Sequence, residues 1–534
     1  MVGTGDGCHE IGDRIDCDGH PGTVCYIGPV VDTNGLWLGI DWDDPARGKH
    51  NGTYHDVEYF KTRYPTSGSF VRPGKVKTGI SCPESIRQRY GLVDDELAGV
   101  DRDKLSSLKR EINAPFLEMV GFSKVNKTQS AFDQLKVICL REQLVSSAGV
   151  PGELQKLCPN LRELDISKNL INSWKIVADI CSQLTKLERL DVSENLLPTK
   201  IDDDLSNAFI NVNQLIMARM NYDWSDIEWC TSLFPALRIL YVPFNYASVL
   251  NEPPGNSNLR QLVDLSLEGN GISSWDEVLK LGNLLSLENL NLNSNKIQRI
   301  RFTCDNGTEK TKTFPALRQL HLSKNCIDEW RSINELEKLI SLEDLKLRDN
   351  PVFNDDNYES VHESIIGRIS KLKWLNGIEI SREERNGAEY DYLKAYATEW
   401  KLLNPDDGKD VDESRRKEFI ENHPRYLPLI EKHGAVEIST PPGGGEMKSD
   451  VITVEFVSTN AESKVKSVKK KLLKDMDVQK LTGLVQRMFK IAGKIPKLSL
   501  IPSNRPKDEI PLDKSLQQLS YYSIQDGDQI LVRW

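Results

Sequence analysis

The chain has 534 residues, too many for one hydrophobic core, and its length predicts three or four domains. Apolar residues make up 39% and charged residues 28%, and the net charge of −10 argues against a general nucleic-acid binder, whose footprint is a broad basic face. No apolar run approaches the ~18 residues of a membrane-spanning helix, and the start MVGTGDGCHEIGD lacks the basic and apolar parts of a signal peptide, so no membrane partner is expected.

Ten cysteines are scattered without a C-x-x-C pair or any Cys/His metal spacing. Reduced cytosolic thiols are the expectation, with no metal and no cofactor. The charge is uneven. Residues 1–80 carry 8 Lys/Arg against 11 Asp/Glu, and residues 450–534 carry 15 against 10, which leaves the middle strongly acidic. Any grip on an anion must therefore be local.

Residues 1–80 read as a small all-β barrel, because short runs such as GTVCYI, LWLGIDW and TYHDVEYF alternate with Gly, Pro, Asp and Asn clusters. Within them, Gly48-Lys49-His50-Asn51-Gly52 places a positive charge between two glycines. It is not a phosphate loop, since the lysine follows the first glycine and the next segment is strand-like. Nor is there a G-x-G-x-x-G between strand and helix. From these residues alone, a hairpin turn and an anion grip both remain open.

Residues 81–134 are polar and mostly helical in pattern, with breaks at Pro83 and Pro115, and read as a connector. The pattern L-x-x-L-x-L-x-x-N-x-L then recurs, as in LRELDISKNLI at 161 and LENLNLNSNKI at 287. Nine copies start at 135, 161, 187, 212, 237, 262, 287, 317 and 342, those at 135, 212 and 237 being weaker. These are leucine-rich repeats, and residues 135–396 are predicted to stack into an α/β solenoid with a C-terminal cap at 372–396. Trp174, Trp224, Trp275 and Trp330 recur before the repeats that follow them, and convex packing is their expected role. On the strand face, the weak central copies place Ile216, Ile239 and Tyr241 where the first repeats carry charged residues, an apolar strip that is a candidate partner surface unless the irregular copies shift register.

Residues 397–449 form a charged helical segment ending in the linker STPPGGGEMKSD. Residues 450–534 read strand, strand, helix, strand, strand, and resemble an α+β ubiquitin-like β-grasp. The run KVKSVKKKLLK would put several lysines on one face, read either as a solvated surface or as a steering patch.

Residues 35–76 resemble a CAP-Gly domain. Trp37 with Gly39, the loop Gly48–Gly52, Tyr59 with Phe60, and Gly68-Ser69-Phe70-Val71-Arg72-Pro73 follow in that family's order. The loop departs from the family's G-K-N-D-G in having His50 and Asn51. The resemblance implies a groove for acidic-aromatic carboxyl-terminal tails, notably that of α-tubulin. Trp37, Trp42, Phe60 and Phe70 would supply aromatic walls, with Arg72 at their edge. Lys49 would pair with a carboxylate. His50, Asn51 and backbone N–H groups beside Gly48 and Gly52 would take the terminal carboxylate. His50 would also carry a charge that varies near neutral pH.

The order CAP-Gly, leucine-rich repeats, ubiquitin-like domain resembles the tubulin-specific chaperone E (tubulin-folding cofactor E) family. That resemblance implies a cytoplasmic, cytoskeleton-associated binding protein without catalytic residues. Its partners would be α-tubulin and other tubulin-folding cofactors. Two other readings are a microtubule adaptor and a ubiquitin-pathway shuttle that meets ubiquitin or proteasome components through its C-terminal domain.

Overall fold

The computed structural model describes residues 9–91, 131–201, 204–302, 310–353, 358–404 and 413–435, and towards the C-terminus 451–458, 467–474, 476–489, 491, 496–503, 509–514 and 517–534. The polar stretch 92–130, the acidic start and the linker lie outside the described residues. The chain divides into two compact units, residues 1–438 and 439–534.

The first unit opens with strands β1 (Arg14–Cys17), β2 (His20–Gly28), β3 (Trp37–Trp42), β4 (Thr53–Tyr54), β5 (Val57–Glu58), β6 (Gly68–Val71) and β7 (Lys77–Thr78). β6, β3, β2, β1 and β7 lie side by side in that order and pair antiparallel, while β4 and β5 form a separate hairpin. GTVCYI and LWLGIDW thus form strands as expected, whereas TYHDVEYF, expected as one strand, folds into the β4–β5 hairpin, because His55 and Asp56 turn the chain with left-handed φ of 48° and 62°. The core of this small all-β domain is Ile15, Cys17, Val24, Leu38, Ile40 and Trp42. The next strand, β8 (Ile80–Ser81), leaves this sheet and pairs parallel with residues 145–147 of the repeat array.

Helix α1 (Cys82–Tyr90) starts at Ser81, whose side chain accepts the Glu84 N–H. The helix buries Cys82 and Ile86 in the core of the repeats. The Tyr90 hydroxyl accepts from Cys139 N–H at 2.8 Å and donates to Cys139 C=O at 3.2 Å, sealing the open edge of the first repeat strand.

The repeats build an eleven-stranded sheet. Every repeat strand pairs parallel to its neighbour with its central aliphatic residue in register, from Ile138 through Leu164 and Leu190 to Leu345 and Leu375. The irregular central copies keep that register, with Ile216 opposite Tyr241 and Leu215 opposite Leu240. On the other side, helices begin at Trp174, Trp224, Trp275 and Trp330. The first three of these rings are buried, and Trp330 is half-buried against the same core under the Arg368 guanidinium. One residue before each conserved turn position the backbone is left-handed in all nine copies, from Glu142 to Asp349, with φ between 50° and 68°. In seven of them the next residue is an asparagine that hydrogen-bonds back into the array.

Helices Tyr358–Arg368, Arg382–Leu403, Glu413–Asn422 and Tyr426–His433 close the far end. Their aromatic contacts join Tyr392, Phe419 and Tyr426. Glu389, 1% exposed, accepts hydrogen bonds from Arg425 (2.7 Å), Lys432 (2.6 Å) and His433 (2.7 Å), tying the last helix to the cap.

The second unit is a ubiquitin-like fold. Strands Val451–Ser458 and Gln529–Arg533 run parallel at its centre, flanked by Ser467–Leu473 on one edge and by Lys497–Ile501 and Ile510–Pro511 on the other. Helix Val478–Phe489 buries Val478, Leu481, Val485 and Phe489 against Ile452, Phe456, Leu500 and Val532. The lysine run falls on the edge strand, where exposed Lys469 and Lys471 oppose Glu455 and Thr453. Lysines on an exposed edge discourage pairing with another strand, which accounts for them as a solvated face.

Burial pushes the Glu389 carboxyl up, but hydrogen bonds from Lys432, Arg425 and His433 outweigh it and bring its pKa down to about 2. A folded pKa below the unfolded value gives stability that is complete above about pH 5 and is lost as the pH falls towards 2. Glu389→Gln is therefore expected to destabilise the first unit by on the order of 3 kcal/mol at pH 7, because it leaves the buried Arg425 guanidinium without its carboxylate. Chemical denaturation should show the gap to the wild-type protein narrowing between about pH 5 and pH 2.

Candidate peptide-binding groove

The loop of residues 48–52 is clamped to the strand that follows it. Lys49 and His50 N–H donate to Gly68 C=O at 2.7 and 3.2 Å, and Gly68 N–H returns to His50 C=O at 2.7 Å. A side chain at Gly48 would strike the Thr66 carbonyl and the Ser67 backbone. Gly52 has φ +93°, and a Cβ there would strike the Phe60 carbonyl. The glycines are thus required by packing against two other segments, which a free hairpin turn would not demand.

His50 has a fixed tautomer. Its Nδ1 accepts the Gly52 N–H at 3.0 Å, so in the neutral ring the proton sits on Nε2 and is available to donate. Burial, helped by Lys49, pushes its pKa below the ordinary value and so favours the neutral ring. Asn51 is exposed, and its Oδ1 accepts the Thr53 N–H at 3.2 Å, which leaves the amide NH2 as its donor. Lys49 is exposed and makes no ion pair among the described residues. The N–H groups of Lys49 and His50 are engaged by Gly68 C=O, and those of Gly52 and Thr53 by side chains of the loop. These four backbone groups are thus already bonded, and the side chains of Lys49, His50 and Asn51 are donors the loop presents.

Behind the loop stands an aromatic cluster centred on Phe70. The rings of His50, Tyr59 and Phe60 lie 5.1, 5.3 and 5.5 Å from it, and those of Tyr26 and Tyr54 at 6.3 Å. Phe60 is buried over Gly39, where any Cβ would hit its ring. On the same face of β3 and β6, the Arg72 guanidinium lies 3.7 Å from the centroid of the Trp37 ring, and Trp37 Nε1 donates to Thr33 Oγ1 at 2.8 Å. The structure thus brings together Trp37, Gly48, Lys49, His50, Asn51, Gly52, Phe60, Phe70 and Arg72.

It does not bring Trp42 with them. Trp42 shares the strand face of Leu38 and Ile40, is 1% exposed and fills the domain core. The period of two along β3 separates it from Trp37 and Gly39.

Three wall residues escaped sequence reasoning: Tyr26, Tyr54 and Tyr59. Tyr26 is instructive. A bulge at Cys25 shifts the β2 register, so that Val24 pairs with core-facing Ile40 while Tyr26 pairs with groove-facing Gly39. Simple alternation would have put Tyr26 in the core.

A second feature lies on the solenoid's strand face. Ile216, Tyr241 and Pro243 form one wall of a depression of about 300 Å³, and Ile239 stands half-buried on the same strand as Tyr241. The Tyr241 hydroxyl donates to Asp264 Oδ2 at 3.1 Å. The register is kept, so the strip lies on the strand face, with Ile216 itself buried and Ile239 and Tyr241 half-buried. No group of His, Cys, Asp and Glu suited to a metal occurs among the described residues.

The sequence profile of the CAP-Gly domain matches residues 11–76, and a leucine-rich-repeat profile matches residues 257–400. Tubulin-specific chaperone E of Xenopus laevis is 38% identical over 531 residues, covering 98% of both chains. The Homo sapiens protein of the same name is 36% identical, again covering 98% of each. The solution structure of the C-terminal ubiquitin-like domain of mouse tubulin-specific chaperone E aligns with 17% of this chain and 94% of its own, at 34% identity and a TM-score of 0.15.

The groove and the fold together define a CAP-Gly protein whose N-terminal domain is fused to a leucine-rich-repeat solenoid and followed by a ubiquitin-like domain. At this identity over nearly the whole length, the chain belongs to the tubulin-specific chaperone E family.

Gly52→Ala should destabilise the N-terminal domain by about 1–3 kcal/mol, through its left-handed φ and the collision with Phe60. A lowered melting temperature, with loss of the ring-current shifts around Phe70 in NMR spectra, is the expected result.

Proposed function

We propose that the chain is a tubulin-folding cofactor that holds the acidic-aromatic carboxyl terminus of α-tubulin in the groove of its first domain. With other tubulin-folding cofactors it helps to assemble, or take apart, the α/β-tubulin heterodimer. Its own contribution is binding, in the cytoplasm beside the cytoskeleton, and no bond-making step is assigned to it.

The observation that carries the reading is the pairing of three exposed-side donors with an aromatic wall. Lys49 supplies a positive charge, neutral His50 an Nε2–H, and Asn51 an amide, all beside the Phe70 cluster. A peptide ending in an aromatic residue can lay its ring on Phe70 and Tyr59 while its terminal carboxylate meets the donors. Acidic residues just before that end would face Lys49 in a chain that is otherwise acidic. A lysine in that setting selects the ligand by charge and adds to the association rate.

Lys49→Ala and Asn51→Ala are each expected to weaken a Glu-Glu-Tyr peptide by about 1–3 kcal/mol in isothermal titration. Amidation of the peptide's carboxyl group should cost a similar amount. Equal affinity for amidated and free-acid peptides would remove the carboxylate from the reading.

A further inference from the structure

The concave strand face carries a feature that the groove does not explain. The depression beside Ile216 and Tyr241 continues across Asn289 and Asn291 to His321. His321 Nε2 is buried and makes no hydrogen bond, and Asp344 Oδ1, next to Gln319 on the following strand, is likewise buried and unpartnered. Orphaned polar atoms are costly in a folded protein, and they mark places where a partner completes the set. Burial, with Lys346 adding to it, pushes the His321 pKa down, so the ring stays neutral and can accept or donate.

The surroundings have a sign. On the strand positions that face the concave side, Glu163, Asp165, Asp191, Asp264 and Asp344 stand against Arg189 and Lys346. The strand face thus carries a net acidic charge, most of it before the apolar strip, with Asp264 and Asp344 beyond it and Lys346 beside Asp344. An acidic tail would be repelled here, whereas a basic segment with an apolar residue would be neutralised and buried together.

We propose that this channel is a second docking site, which takes a basic segment of the partner protein bearing one apolar anchor residue. The anchor sits against Ile216, Tyr241 and Pro243, and a lysine, arginine or amide donor reaches Asp344. The inference rests on the reading above that the partner is tubulin, but it concerns the body of that partner and not its acidic tail.

The test uses the full chain and tubulin dimer from which the carboxyl-terminal tails have been removed by proteolysis. The wild-type chain should still bind this dimer, with an affinity that falls as salt is raised. Asp344→Lys and Tyr241→Glu should each weaken that binding at least tenfold with unchanged melting profiles, and should leave binding of the free Glu-Glu-Tyr peptide as it was. Asp344→Lys is the safer variant, since its carboxylate is not tied to Tyr241 or Asp264, and it keeps the test open if Tyr241→Glu does not fold. Absence of binding to the tail-less dimer, or equal affinity of wild type and Asp344→Lys, would overturn the proposal. The peptide measurement decides the groove separately, so the two readings can fail independently.

Discussion

The side-chain amide of one asparagine per repeat is the interaction on which the first unit depends. Asn195 shows the pattern: its Nδ2 donates to Ile166 C=O of the preceding repeat and to Val192 C=O of its own, both at 2.9 Å, while its Oδ1 accepts Asn169 N–H at 3.0 Å. Asn169, Asn245, Asn295, Asn325 and Asn350 repeat the arrangement, all nearly or fully buried. Each such bond is worth only about 1 kcal/mol net, but leaving its partners bare in the interior costs more. No repeat can bury its leucines alone, so the amides join units that have no independent stability. Two copies lack the asparagine, and Gln143 takes its position in the repeat at 135. Met220 stands where the repeat at 212 would carry asparagine, and Tyr222 fills part of the role by donating its hydroxyl to Leu197 C=O at 2.8 Å. Asn245 then reaches back to the N–H groups of Met220 and Tyr222, so the array continues through the flaw.

That frame also fixes the groove. The N-terminal domain is held to the first repeats by the parallel pairing of Ile80 with Val145, by α1 in the solenoid core and by Asn172 Nδ2 donating to Gly12 C=O at 3.1 Å. The groove and the concave strip therefore belong to the same compact unit. Under the proposed function, a tail captured by the first domain raises the local concentration of the rest of the partner at the solenoid, a gain that needs no new contact. It would be lost if the two were joined by a loose linker of the wrong length.

How much of this was legible depends on the range of the interaction. The repeats were readable because their leucines and asparagines recur at a fixed period, and the register they imply survives even in the copies at 212 and 237. The loop was readable because backbone contact with Phe60 and Thr66 admits only glycine at Gly52 and Gly48. The roles of individual rings were less so. Trp42 is assigned correctly once alternation along β3 is applied, but Tyr26 is not, because the bulge at Cys25 reverses it. The Glu389 cluster was invisible: its partners lie 36 to 44 residues away, and nothing local marks a glutamate in a charged helix as buried. His50 lay between. Its identity was plain, but its tautomer and neutrality follow from the Gly52 N–H and from burial, which only the folded loop supplies.

The distribution of charge gives these separate features a common logic. The groove presents Lys49 on a domain that is itself slightly acidic, and the solenoid's strand face is acidic around an apolar strip. Under the two proposals above, sites of opposite preference on one compact unit would accept a partner in one orientation and penalise the reverse, since an acidic tail placed on the strand face would meet Asp264 and Asp344. Like-charge contact of this kind suppresses wrong arrangements at a cost of several kcal/mol each, while rim charges add little to the right one. Under the proposed function, this division has a physical advantage. Orientation is set by repulsion, and affinity can stay modest because it rests on a few donors and one apolar patch rather than on a large dry interface.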